Sequence, residues 1–269
     1  MQTGRVVITG AGSGLGRELA LRYARAGWRV AVADIDATRA GAVSAEVRAL
    51  GADAAPFAVD VGDDTSVQAL RDAVRAHFGG VDHVVNNAGV ASAGDVVDTA
   101  LADWRWMLEI NLLGVVRGCR AFVPDLVAQG RGHVVNIASF AGLAGAPGLA
   151  SYSVAKAGVV ALSESLRAEM ALHRTGVGVS VVCPAFFQTN LLQNFRGPET
   201  ARAMAGRLMQ RSADSAAGVA ARIYDAVAAG RFLVLPTAQE PLRWRLKRWL
   251  PEFYFRKLIA TIAAQRPAA

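Results

Sequence analysis

Cysteine is scarce: Cys119 and Cys183 are the only two in 269 residues. Each sits in an apolar stretch, which excludes a disulfide-stapled secreted scaffold and points to a reducing compartment, with both thiols as inert core groups. Lysine is rare beside arginine and stands only at positions 156, 247 and 257. Long apolar runs are missing, so no segment reads as a membrane span. The chain passes from Met1 almost directly into Arg5-Val-Val-Ile-Thr9, leaving no room for a charged, apolar and cleavable leader. The cytoplasm is therefore the expected compartment.

What is there suits one large core, with 53% hydrophobic and 19% charged residues, a balance that excludes a disordered chain. The net charge of +7 is concentrated. Arg243, Arg245, Lys247, Arg248, Arg256 and Lys257 crowd one segment against Glu252 alone, and the rest of the chain is nearly neutral. This is not the distributed basic stripe of a phosphate-backbone reader, so no nucleic-acid partner is expected.

Seven short β-branched runs stand out: 5–9, 29–34, 54–60, 82–86, 133–138, 178–183 and 232–235. They are mostly continuous rather than alternating, as in a parallel sheet buried on both faces. Helical patterns fill the gaps at 14–26, 38–50, 64–78, 103–128, 151–172 and 214–229, as right-handed crossovers require. The reading is α/β, a Rossmann-type doubly wound sandwich. One domain covers 1–236, including a long excursion at 189–212 that reads as a substrate loop. A basic amphipathic extension follows at 237–269.

The first run leads into Thr9-Gly10-Ala11-Gly12-Ser13-Gly14-Leu15-Gly16 and then an amphipathic helix. Glycines in that place let a pyrophosphate approach the helix N-terminus, where free N–H groups and the dipole favour anions. Asp34 ends the second run, about twenty residues beyond the loop's middle. A carboxylate there accepts from adenosine ribose hydroxyls and repels a 2′-phosphate, favouring NAD over NADP. Ser13 before Gly14 and Ile35 after Asp34, neither of them basic, agree with this. Asp60 and Val61 fall on the same carboxyl edge, within reach of an adenine. Asn86-Asn87-Ala88-Gly89 reaches that edge too, with small residues that let backbone approach a cofactor.

Tyr152 and Lys156 are four residues apart and so share one helix face. A phenol's ordinary pKa is about 10, and a fixed neighbouring cation lowers it, which makes Tyr152 a candidate general acid and base. A chain that otherwise uses arginine yet places lysine here needs a compact ammonium. Ser139, just after the fifth run, offers a hydroxyl that polarises a substrate oxygen; strand-end serines are also common turn formers. Asn111, among Ile110, Leu112 and Leu113, also reads as a satisfied core amide.

Taken together, Thr9-Gly-x-x-x-Gly14-x-Gly16, Asp60, Asn86-Asn-Ala-Gly89, Asn111, Ser139 and Tyr152-x-x-x-Lys156 make the chain resemble a classical short-chain dehydrogenase/reductase from about Gly4 to Leu235. That resemblance implies strand order 3-2-1-4-5-6-7, a homodimer or homotetramer, and a nicotinamide dinucleotide cofactor. Tyr152 would exchange a proton with the substrate oxygen, and Lys156 would hold the nicotinamide ribose. Ser139 would orient the substrate, Asn111 would position a water linking Lys156 to solvent, and Thr189 would contact the carboxamide. One departure is visible: Pro184-Ala185 stands where the family commonly has Pro-Gly, which leaves the local backbone shape open.

Leu191, Leu192, Phe195, Met204, Leu208 and Met209, with Phe186 and Phe187, would form an apolar lid for a bulky alcohol or ketone, or simply pack on the body. Beyond Pro236, Leu242, Leu246, Trp249, Leu250, Phe253, Leu258 and Ile259 interleave with the six basic residues, and Pro251 should split them into two helices. Such a segment suits peripheral contact with an anionic membrane, packing on its own subunit, or a neighbour. The expected activity is hydride transfer between NAD(H) and a carbonyl or hydroxyl carbon. The alternatives are an NADP-dependent ketone reductase or a redox sensor without turnover. A serine hydrolase is excluded because no Gly-x-Ser-x-Gly elbow occurs.

Overall fold

The structure is a computed structural model that describes residues 4–263. Seven parallel strands form one sheet: β1 (Arg5–Thr9), β2 (Arg29–Asp34), β3 (Ala54–Ala58), β4 (His83–Asn86), β5 (Gly132–Ile137), β6 (Val177–Val182) and β7 (Leu233–Val234). Their order is 3-2-1-4-5-6-7, as the family resemblance implied.

Each strand feeds both faces, because successive side chains alternate. On β1, Val7 joins one core while Val6 and Ile8 join the other. The first core is completed by α3 (Asp64–Phe78), α5 (Gly114–Gln129) and α7 (Ala150–Leu172), through Leu70, Phe122 and Val159 among others. The second is completed by α1 (Gly14–Arg25), α2 (Ala37–Ala49) and α9 (Ala216–Ala228), through Leu19, Val47 and Ile223. Burying each such side chain stabilises the fold by about 1.5–3 kcal/mol, which is why the apolar runs dictate a sheet covered on both sides.

Caps set the helix ends. Asp63 accepts from Thr65 and Ser66 N–H groups at the start of α3, and Asp36 accepts from the Arg39 N–H at the start of α2, satisfying donors that would otherwise be orphaned. The helix anticipated as continuous over 103–128 is interrupted. It runs as α4 (Leu101–Leu108), a π-turn at Glu109–Leu113 and then α5. Such turns insert one residue and re-aim the side chains around it, and the residue so placed here is the fully buried Asn111.

After β5 come a short α6 (Phe140–Leu143) and then α7, and the long excursion after β6, anticipated as a substrate loop, ends in α8 (Glu199–Arg211). The extension forms α10 (Glu240–Trp249) and α11 (Pro251–Ala263), split at Pro251 as expected. Residues 1–3 and 264–269, part of the two segments assigned from sequence, lie outside the described residues. No helix among the described residues is long and apolar enough to cross a membrane.

Candidate active site

The sheet order reverses between β1 and β4, and ligands of open α/β sheets bind at the carboxyl edge of that point. A cleft of about 1750 Å³ opens there, larger than the roughly 300–1,000 Å³ of an ordinary ligand pocket and roomy enough for two ligands. Gly10, Ser13, Gly14, Leu15, Gly16, Asp34, Asp60, Val61, Asn87, Ala88, Gly89, Ser139, Tyr152, Lys156, Pro184 and Thr189 all line it. Asn111 does not, and neither does Asn86, which is buried against Asn136.

The glycines of this loop let it pack against itself and its neighbours more closely than side chains would allow. A Cβ on Gly16 would lie 2.1 Å from the Gly10 carbonyl oxygen. Gly14 sits at φ +52 with the Thr189 hydroxyl 2.8 Å from where its Cβ would be, so the substrate loop crosses directly over the start of α1. Ser13, the N-cap of α1, makes no side-chain bond into the helix, and the first-turn N–H groups remain for an anion. Asn87 braces this loop by donating to the Thr9 and Gly10 carbonyls at 2.9 and 3.1 Å. Thr9 accepts from the N–H groups of Asn87 and Ala88, a role the sequence reading missed because a strand-end threonine carries no distinctive pattern.

Asp34 is buried at the end of β2. Its carboxylate accepts from the Gly12 and Asp36 N–H groups at 2.8 and 3.0 Å. Arg39, also missed, reaches Asp34 at 3.4 Å, Asp36 at 3.1 Å and the Gln193 side chain of the substrate loop at 3.3 Å. Its spacing of five from Asp34 was the available signal. Asp60 turns back on the Gly62 N–H at 2.8 Å, at the cleft wall.

Lys156 is buried, and its ammonium donates to the Ile137 carbonyl at 2.9 Å. It lies 5.8 Å from the centroid of the Tyr152 ring. Burial lowers its pKa to about 8, with a smaller opposing effect from the Cys183 thiol. The sequence reading had this ammonium lowering the phenol's pKa, and the structure corrects that. Tyr152 is raised above its ordinary value, chiefly by burial, with the Ser139 hydroxyl pulling the other way. The cation is tied to a carbonyl on β5, so desolvation outweighs it.

Ser139 caps α6 by accepting from the Ala141 N–H at 3.2 Å and donates to the Pro184 carbonyl at 3.3 Å. Ala185 needs no glycine: it is not at positive φ, and its N–H donates to the Thr237 hydroxyl at 3.1 Å. Asn111 sits behind the cleft, exchanging two 2.8 Å hydrogen bonds with the Val90 backbone. Its amide nitrogen also donates to the Met107 sulfur at 2.5 Å, so the side chain ties α4 to the β4–α4 connection. Cys183 and Cys119 are both buried with raised pKa values, as expected of inert thiols.

A family model for the short chain dehydrogenases matches residues 4–200. The chain belongs to the short-chain dehydrogenases. This oxidoreductase family accounts for the strand order, the glycine loop and the Tyr152–Lys156 face together. The chain is 42% identical over 198 residues to the protein named "Probable oxidoreductase EphD" of Mycobacterium tuberculosis, covering 72% of this chain and only 33% of that much longer protein. It is 34% identical over 248 residues to the 1-deoxy-11-beta-hydroxypentalenate dehydrogenase of Streptomyces exfoliatus, covering 91% and 87% of the two chains. Among solved structures, a short-chain dehydrogenase/reductase from Burkholderia phymatum in complex with NAD superposes with a TM-score of 0.89 at 32% identity, over 93% of this chain and 95% of that one.

Proposed function

We propose that this short-chain dehydrogenase moves a hydride between NAD(H) and the hydroxyl or carbonyl carbon of a bulky apolar alcohol or ketone. The observation that carries the reading is the placement of Tyr152, Lys156 and Ser139 on the same cleft as the glycine loop at the start of α1.

When bound, the dinucleotide accepts a hydride from a carbinol carbon or returns one to a carbonyl. The chain's own groups do the rest. Gly10, Ser13, Gly14, Leu15 and Gly16 hold the pyrophosphate, Asp60, Val61, Ala88 and Gly89 flank the adenine side, and Pro184 and Thr189 face the nicotinamide. Asp34 and Asp36 outnumber Arg39 by one charge, which supports NAD and disfavours a 2′-phosphate. Lys156, a positive point charge with donors to spare beyond Ile137, holds the nicotinamide ribose. Asn111 acts through the backbone it fixes.

Tyr152 exchanges the proton at the substrate oxygen. Its raised pKa keeps it protonated at neutral pH, the form that carbonyl reduction consumes, and Ser139 orients the same oxygen. The apolar lining of Phe186, Leu192, Met204 and Leu208 supports a bulky hydrophobic substrate. Likeness to the protein named 1-deoxy-11-beta-hydroxypentalenate dehydrogenase agrees with a hydroxylated substrate. The test is a screen of hydrophobic alcohols and ketones with both nicotinamides, following the absorbance of the reduced cofactor. Oxidation or reduction of at least one such compound with NAD(H) supports the reading, and silence across the series contradicts it.

A further inference from the structure

Six of the large apolar side chains facing solvent lie within residues 242–259: Leu242, Trp249, Leu250, Phe253, Phe255 and Ile259. Trp249 is 77% exposed. A cluster of this kind at one place marks an interaction surface rather than ordinary surface scatter. Arg245, Arg248, Arg256 and Lys257 are exposed among them. The segment's acids do not balance these cations, because Glu240 is buried and paired with Arg243, leaving Glu252.

The other side of the same arm faces inward. Trp244 and Tyr254 pack on the sheet's core, Lys247 donates to the Leu143 carbonyl, and Leu246, Tyr254, Leu258 and Ile262 line the cleft. Among the described residues, the backbone hydrogen bonds of this arm stay within 239–263. The substrate loop, by contrast, is bonded to the opposite wall through Arg196 with Ala91 and Ala93. The arm is thus a wall of the cleft, apolar apart from Arg243, Lys257 and Thr261 and held by side chains alone, with exposed apolar side chains turned outward beside Arg245, Arg248 and Arg256.

We propose that the outer face of α10 and α11 docks on an anionic lipid surface, and that the cleft draws its alcohol or ketone from that surface. The proposal rests on the apolar substrate reading above. Leu242 and Trp249, seven apart on α10, and Phe255 and Ile259, four apart on α11, each share a helix face and would enter the headgroup region, while the arginines meet lipid phosphates, the arrangement of an interfacial amphipathic helix. Charge decides against a second copy as the occupant. A two-fold interface sets a patch against itself, and this patch would meet its own uncompensated cations.

The experiment is sedimentation of the full chain with phosphatidylcholine vesicles and with mixed phosphatidylcholine–phosphatidylglycerol vesicles. NADH binding is read in parallel to show that each variant is folded. The chain should pellet with the mixed vesicles and stay in solution with phosphatidylcholine alone. Trp249→Glu with Phe255→Glu, and separately Arg245→Gln with Arg248→Gln and Arg256→Gln, should each lower partitioning about tenfold or more with NADH binding unchanged. Equal partitioning on both vesicles, no partitioning, or variants that instead dissociate a dimer would overturn the proposal. Vesicle binding without turnover of any alcohol or ketone would leave this docking intact and overturn the hydride-transfer reading; turnover without vesicle binding would do the reverse.

Discussion

Lys156 donates to the Ile137 carbonyl, 2.9 Å away at the end of β5. The bond fixes the ammonium at the sheet's edge, where burial brings its pKa to about 8. A lysine of lowered pKa carries its charge below that value and loses it above. The affinity for NADH should therefore hold steady near neutral pH and weaken as pH rises through about 8, because a neutral amine loses most of its attraction for the ribose oxygens. Fluorescence titration of NADH across this range checks it. A flat profile would show that Lys156 takes no part in holding the cofactor.

The proposed preference for NAD rests on Asp34. Asp34→Ala should weaken NADH binding and shift the ratio of NADPH to NADH affinity toward NADPH by about tenfold, since it removes both the ribose acceptor and the charge facing a 2′-phosphate. Dissociation constants for both reduced cofactors measure the ratio. An unchanged ratio would move discrimination elsewhere on the cleft.

Much of this was legible in the sequence, for identifiable reasons. The strands declared themselves because a sheet buried on both faces needs unbroken apolar runs, and β1 and β2 fell where those runs lie. The residues that the structure gathers on one cleft were legible where chemistry restricts residue type, as at Gly14, Tyr152 and Lys156. What stayed hidden depends on three-dimensional partners. The direction of the Tyr152 shift follows from burial and from where Lys156 points, neither of which spacing encodes. Thr9 acts through Asn87 and Ala88, far away in the chain, and Arg39 links its near neighbours Asp34 and Asp36 to the distant Gln193. The π-turn at Glu109–Leu113 has a helical sequence and shows itself only in the bonding of Asn111.

At the opposite edge of the sheet, His83 and His133 face each other with ring centroids 5.6 Å apart. Burial lowers them to about 3 and about 4 respectively, and His133 adds to the shift of His83. The unfolded chain takes up protons at these histidines near pH 6.5, whereas the folded chain does so only near 3–4. Their stabilising effect is therefore complete above 6.5 and is lost as pH falls toward 4 and below. Thermal melts should show Tm dropping by more than about 5 °C between neutral pH and pH 4. His133→Asn should flatten part of that drop, and an identical pH dependence in the variant would contradict the assignment.

Asn136 bridges three elements without exposure to solvent. It accepts from Asn86 at 2.8 Å and donates to Ser163 at 3.0 Å, tying β4 and β5 to α7. Asn136→Ala should cost about 2–4 kcal/mol, because it leaves a buried amide and a buried hydroxyl each short of a partner. Urea denaturation reads the loss directly. A change below about 0.5 kcal/mol would mean that the cavity admits water to replace the bonds.

The central claim is that Tyr152 gives and takes the substrate proton while other groups hold the cofactor. Tyr152→Phe removes only the hydroxyl, so turnover of a responsive alcohol or ketone should fall by about 10²–10⁴-fold with the NADH dissociation constant within about twofold of its original value. Parallel loss of turnover and of NADH binding would make Tyr152 a structural residue and contradict the account.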